Sequence, residues 1–165
     1  YNIYKHYITI NNTHIMKYQF LAKNLDDTAK LATMLASNTI SGDIFCLNGN
    51  LGAGKTAFAK FFIQHLTTKN TVVASPTFSI MQTYFNEKLG ELYHMDLYRI
   101  NNLDDLFELG IEEILATYIC LIEWSEKLEV FMPKNSIQID IAVNLDSTRL
   151  FTILFNNAQY ERFIK

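Results

Sequence analysis

The segment Gly49-Asn50-Leu51-Gly52-Ala53-Gly54-Lys55-Thr56 matches G-x-x-x-x-G-K-[ST] at every fixed position. Such a loop constrains the fold because its chemistry needs a strand ending on one side and a helix starting on the other. The glycines let the backbone turn successive N–H groups inward around an anion, next to the positive end of the helix dipole. Both flanks fit: Ile44 to Leu47 is a short apolar run of buried-strand character, and Ala57 to Leu66 places Phe58, Phe61, Phe62 and Leu66 on one helical face. The chain has only 6 glycines, against about 11 to 12 for average composition, and Gly49, Gly52 and Gly54 make up half of them. Lys55 is expected to reach the β and γ phosphates of a bound nucleotide, and the Thr56 hydroxyl to ligate Mg²⁺.

Around this unit the patterning alternates between strand and helix. Tyr18, Phe20 and Ala22 predict a strand; Asp26 or Asp27 then offers a cap for a helix carrying Ala29, Ala32, Leu35 and Ala36 at helical spacing, and Gly42 marks a turn. Further strands are expected at 71–74, 78–84, 91–97 and 119–123, and helices near 102–108, 111–117 and 125–131. Alternation over 136–143 and 149–155 predicts a terminal β-hairpin. The expected fold is a single α/β, P-loop NTPase-like domain over 16–165, with a mixed, mostly parallel central sheet flanked by helices. Residues 1–15 are polar, Asn-rich and without periodicity, and the natural start is expected at Met16 rather than Tyr1. We expect 1–15 to be a non-native or extended N-terminal segment outside the fold; it has one Lys and no continuous apolar stretch, unlike a signal or transit peptide.

With 49% hydrophobic and 19% charged residues, the chain is far from the composition of disorder. No window approaches the roughly 18 apolar residues of a membrane-spanning helix. A net charge of -3 and a pI near 5.8 argue against autonomous nucleic-acid binding, which needs a concentrated Lys/Arg face. Cys46 and Cys120 sit inside apolar runs and read as buried reduced thiols rather than a disulfide or metal pair, so a cytoplasmic location is expected.

A phosphate loop requires acids to hold the metal and order the attacking water. Two apolar runs end in one: Tyr118-Ile119-Cys120-Leu121-Ile122-Glu123 and Leu92-Tyr93-His94-Met95-Asp96. Carboxylates at strand C-termini lie at the ligand-binding edge of a parallel sheet. Asp104, Asp105, Glu108, Glu112 and Glu113 are expected on solvated helix faces. His94, on a strand without a spaced ligand partner, reads as structural, and His65 as a helix-surface residue. Arg99 is a candidate for transition-state charge compensation or for a salt bridge with a nearby acid, and Pro76 biases Ser75 toward extended geometry.

Four motifs in order, GNLGAGKT at 49–56, SPTF at 75–78, HMDLYR at 94–99 and LIEWSEK at 121–127, make the chain resemble the TsaE (YjeE) family. These are the small P-loop ATPases of bacterial tRNA threonylcarbamoyladenosine synthesis. The resemblance implies that Gly52, Ala53, Gly54, Lys55, Thr56 and Ala57 wrap the phosphates of ATP and that Thr56 and Glu123 contact Mg²⁺. It also implies that Thr77 acts like a GTPase switch threonine and that Asp96 contributes to metal or water positioning; the water-ordering role stays open between Asp96 and Glu123. Trp124 is a candidate for contacting or reporting the nucleotide, with plain packing as the alternative. Asp27 and Ser147 are candidates for the base and ribose edge. The implied partners are TsaD and TsaB, acting on tRNAs that read codons beginning with A, with the RNA held by the partners. With only Arg99, Arg149 and Arg162 there is no arginine-rich lid, so we expect weak turnover by the chain alone and stimulation by partners.

Two other classes use the same loop. A small-molecule or nucleoside kinase would add a basic lid and an acceptor pocket, neither visible here, and a GTPase would add D-x-x-G and N-K-x-D, which do not occur. A nucleotide-controlled assembly module without significant turnover stays open.

Overall fold

A computed structural model describes residues 3–10, 13–102, 104–155 and 162–163. Tyr1 of the expected N-terminal segment and Leu103 of the helix expected at 102–108 lie outside them. The elements in chain order are β1 (Ile3–Ile10), β2 (Thr13–Ala22), α1 (Leu25–Ala36), β3 (Ile44–Asn48), α2 (Lys55–Leu66), β4 (Met81–Asn86), β5 (Gly90–Asp96), α3 (Asp104–Glu108), α4 (Ile111–Thr117), β6 (Ile119–Glu123), a 3-10 helix (Ser125–Phe131), β7 (Ile137–Val143) and β8 (Arg149–Phe155).

The strands form one eight-stranded sheet in the order β1-β2-β8-β7-β3-β6-β5-β4. The four central strands β7, β3, β6 and β5 run parallel, while β4 pairs antiparallel with β5 at one edge and, at the other, β8 pairs antiparallel with β7, β2 with β8 and β1 with β2. This is the expected mixed α/β sheet, with parallel pairing confined to the strands that frame the loop and the β7–β8 hairpin where the alternation predicts it.

The central runs read as continuously apolar because both of their faces are covered. Phe45, Leu47, Ile119 and Leu121 face the side packed by α1 and α2, where Leu31, Leu35, Phe58 and Phe62 complete one core. Ile44, Cys46, Cys120 and Ile122 face the other side, with Leu106, Ile111, Ile114 and Leu128. Both cysteines are free and buried. Burial pushes the Cys46 thiol up to about 11 and raises Cys120 further, so both stay protonated thiols.

Several local expectations are corrected. The cap of α1 is Asn24, whose Oδ1 accepts from the Asp27 N–H at 2.9 Å, and not Asp26 or Asp27. The strand expected at 71–74 does not form: Val73 packs against the core while Val72 is exposed, and the β-branched pair joins no ladder. The strand expected at 78–84 begins at Met81, after Ile80 adopts a left-handed conformation (φ 64°) and its carbonyl accepts from the Asp96 N–H. The helix expected near 102–108 covers Asp104–Glu108, and 125–131 is a 3-10 helix. Ile3–Ile10, expected outside the fold, pairs with β2 as an edge strand, a role that requires backbone pairing rather than an apolar period.

Candidate functional site

The loop leaves the C-terminal end of β3 and enters α2 at Lys55. Gly49 has φ 142°, and a Cβ there would lie 2.5 Å from the Ile141 carbonyl oxygen, so only glycine allows the loop to pass β7. Gly54 is the left-handed N-cap of α2 (φ 111°) and brings no capping side chain. The first-turn N–H groups of α2, including those of Thr56 and Ala57, therefore have no acceptor within the helix or from a capping side chain.

Lys55 is buried. Its ammonium donates to the carbonyls of Gly49 (2.6 Å) and Asn50 (3.1 Å) and lies 3.9 Å from the centroid of the Trp124 ring. Burial lowers the Lys55 pKa, opposed by the charges of Glu123, Asp96 and Glu126. Trp124 has φ 57°, a left-handed conformation, and its ring is tilted against Tyr98 at 5.0 Å. Trp124 therefore packs, and what it packs on is the lysine of the loop.

Asp96 and Glu123 end the neighbouring parallel strands β5 and β6 and are direct register partners. Both are buried, at 4% and 2% exposure, and on the face covered by α2. The Thr56 hydroxyl donates to Glu123 Oε2 at 2.9 Å, and Glu123 Oε1 lies 2.9 Å from His94 Nε2. Thr77 donates to Asp96 Oδ2 and pairs with the Ser75 hydroxyl at 2.7 Å, while Asp96 Oδ1 accepts from the Tyr98 N–H at 2.9 Å. Lys55, Thr56, Thr77, Asp96 and Glu123 thus converge at one sheet edge. Gly52, Ala53 and Gly54 belong to the loop itself; Ala53 is buried, its N–H bonded to the Asn50 carbonyl.

Other candidates sit differently. The Asp27 carboxylate accepts from the Lys23 N–H and from Lys30, contacts that lower its pKa and hold it to the start of α1; among the described residues no hydrogen bond joins it to the loop. Ser147 is a left-handed turn residue of the β7–β8 hairpin, and its carbonyl accepts from Arg149. Arg99 is in no salt bridge among the described residues; its guanidinium lies 4.1 Å from the centroid of the exposed Phe78 ring. His65 is exposed, paired with the Ser37 hydroxyl as a surface residue would be.

Two site neighbours escaped the sequence. His94, read as structural, bonds Glu123; counting by two from Asp96 puts it on the same face, but strand order is needed to bring Glu123 beside it. Arg149 brings its Nε to 3.7 Å from the position of a Cβ on Gly54, a contact across the sheet with no local signal.

The family model of the threonylcarbamoyl adenosine biosynthesis protein TsaE matches residues 22–151. The chain belongs to the TsaE family. It is 39% identical over 139 residues to the tRNA threonylcarbamoyladenosine biosynthesis protein TsaE of Rickettsia felis, covering 84% of this chain and 81% of that protein. It is 37% identical to the TsaE of Bacillus subtilis, covering 84% and 85%. The crystal structure of Bacillus subtilis YdiB superposes with a TM-score of 0.73 at 31% identity, covering 91% of this chain and 93% of that one. The TsaE match spans all four motifs and the whole convergence of side chains. Among the described residues no helix is long and apolar enough to cross a membrane.

Proposed function

We propose that the chain is a Mg²⁺-dependent ATPase subunit required for threonylcarbamoyladenosine modification of tRNAs that read codons beginning with A, working with TsaD and TsaB. The TsaE relatives carry the pathway in their names. The observation that carries the activity is the Thr56–Glu123 hydrogen bond at 2.9 Å, which joins the phosphate loop to the acid of the neighbouring strand.

The donor set suits the ion. Among the described residues no cluster of three or more His, Cys, Asp or Glu could hold a metal by itself. Mg²⁺ on a nucleotide does not need one, since it takes one or two hard protein oxygens and completes its shell with phosphates and water. Thr56 Oγ1 and Glu123 Oε2 are such oxygens. When bound, the ion would neutralise charge on the β and γ phosphates.

The chain's own residues supply positioning. The backbone from Gly52 to Ala57 cradles the phosphates. The Lys55 ammonium, now on the Gly49 and Asn50 carbonyls, swings to the β and γ phosphates, a short rotation of a flexible stem. Asp96, held by Thr77 and the Tyr98 N–H, accepts a hydrogen bond from the attacking water, and Thr77 follows the γ-phosphate; the two hydrogen bonds that fix the Asp96 carboxylate support this role. Arg149 beside Gly54 adds positive charge to the loop that carries Lys55.

Phosphate release by the chain alone and with TsaD and TsaB tests this. Weak turnover, stimulation by the pair and its abolition by Lys55→Ala are expected. Nucleotide-controlled assembly without turnover would overturn the ATPase reading, and label transfer from the γ-phosphate to a small acceptor would favour a kinase.

A further inference from the structure

His94 has no exposed surface, yet its Nδ1 is a buried polar atom without a hydrogen-bond partner. An unsatisfied buried polar atom costs free energy that an apolar side chain on β5 would not incur. The compensating contact is on the other ring nitrogen: Nε2 lies 2.9 Å from Glu123 Oε1.

The register explains the pairing. His94 is opposite Leu121 and Asp96 is opposite Glu123 across parallel strands, so His94 and Glu123 are diagonal neighbours on the face covered by α2. Glu123 Oε2 already accepts the Thr56 hydroxyl, and among the described residues the imidazole is the one hydrogen-bond partner of Oε1. A carboxylate oxygen needs a donor there, which puts a ring N–H at Nε2.

We infer that His94 is a positioning residue: it clamps Oε1 of Glu123 so that Oε2 stays on the Thr56 side, and it thereby governs how strongly Mg²⁺ tightens nucleotide binding. Without this second contact the carboxylate is free to rotate about its terminal torsion, a broad and weakly restrained one, and Oε2 leaves Thr56. The inference rests on the proposed roles of Thr56 and Glu123. It adds that their geometry is set from β5 by a residue that touches neither nucleotide nor metal, as outer partners orient ligands in other metal sites.

The test measures affinity of the full chain for a non-hydrolysable ATP analogue, with Mg²⁺ and with EDTA, alongside thermal stability. His94→Leu is expected to cut the Mg²⁺ enhancement of binding about tenfold or more while leaving affinity in EDTA unchanged. His94→Gln, whose amide nitrogen reaches the position of Nε2, restores much of it; His94→Asn, whose amide stops near Nδ1, does not. If His94→Leu fails to fold, the contrast between Gln and Asn carries the test. A wild-type enhancement in His94→Leu, or equal behaviour of Gln and Asn, overturns the inference. Absence of any Mg²⁺ enhancement in the wild type instead removes the metal roles of Thr56 and Glu123 and the inference with them, a result distinct from failure at His94 alone.

Discussion

The hydroxyl of Thr56, in the first turn of α2, donates to Glu123 Oε2 at the end of β6 over 2.9 Å, and Glu123 is otherwise held by His94. The hydrogen bond connects residues 67 positions apart and joins the glycine loop and its helix to the strand beside β3.

Glu123→Gln keeps the volume and removes the charge. Partner-stimulated phosphate release is expected to fall about 100-fold or more, with nucleotide affinity in EDTA retained. Glu123→Ala additionally leaves the Thr56 hydroxyl and His94 Nε2 without their acceptor and lowers stability by about 1–3 kcal/mol, read from urea unfolding.

Gly49 and Gly42 both have positive φ but differ in their surroundings. A Cβ at Gly49 meets the Ile141 carbonyl at 2.5 Å, whereas at Gly42 nothing lies within 4 Å. Gly42→Ala should cost about 1–2 kcal/mol for the left-handed backbone alone. Gly49→Ala should cost about 1–3 kcal/mol more, since β7 must shift to admit it. Chemical denaturation of the two variants side by side checks the difference.

Lys55 is held below its ordinary value of 10.5 chiefly by burial. Its unfolded form therefore binds more protons than its folded form between the folded and unfolded values. The sign follows: the burial penalty on its charge is fully present below the folded value and is relieved as pH rises toward 10.5, so this residue makes stability rise with pH there. The stability difference between wild type and Lys55→Met should accordingly shift in favour of wild type as pH increases across the alkaline range. Urea midpoints of both proteins at several pH values measure the slope; a flat or falling difference would count against the burial argument.

Cys46 and Cys120 are buried on the face opposite α2, and burial keeps both protonated. Thiol reagent added at neutral pH should titrate neither in the native protein and both in urea. Fast reaction of either one without denaturant would contradict the packing.

The strand, glycine loop and helix around Lys55 were legible because their chemistry is local: a fixed spacing of Gly, Lys and Thr flanked by a run of period-independent apolar residues and a 3.6-residue period. The apolar runs ending in Glu123 and Asp96 were legible for a related reason, since strands buried on both faces carry no alternation and stop where the chain reaches the ligand edge. The stretch 71–80 was not, because Val72 and Val73 have strand-forming side chains but no neighbouring ladder, and β-propensity describes fit to a surface that must already exist.

Residue types and spacing alone thus determined the G-x-x-x-x-G-K-[ST] loop between a strand and a helix, and which two acids are candidates to serve it. Tertiary structure decided which partners those acids take. Glu123 meets Thr56 and His94, and Asp96 meets Thr77, only because β6 lies between β3 and β5 with Asp96 and Glu123 in register. Arg149 reaches Gly54 only because the β7–β8 hairpin folds back beside the loop. Strand order is a property of the whole packed sheet, set by how both faces bury their apolar residues, and no local spacing encodes it.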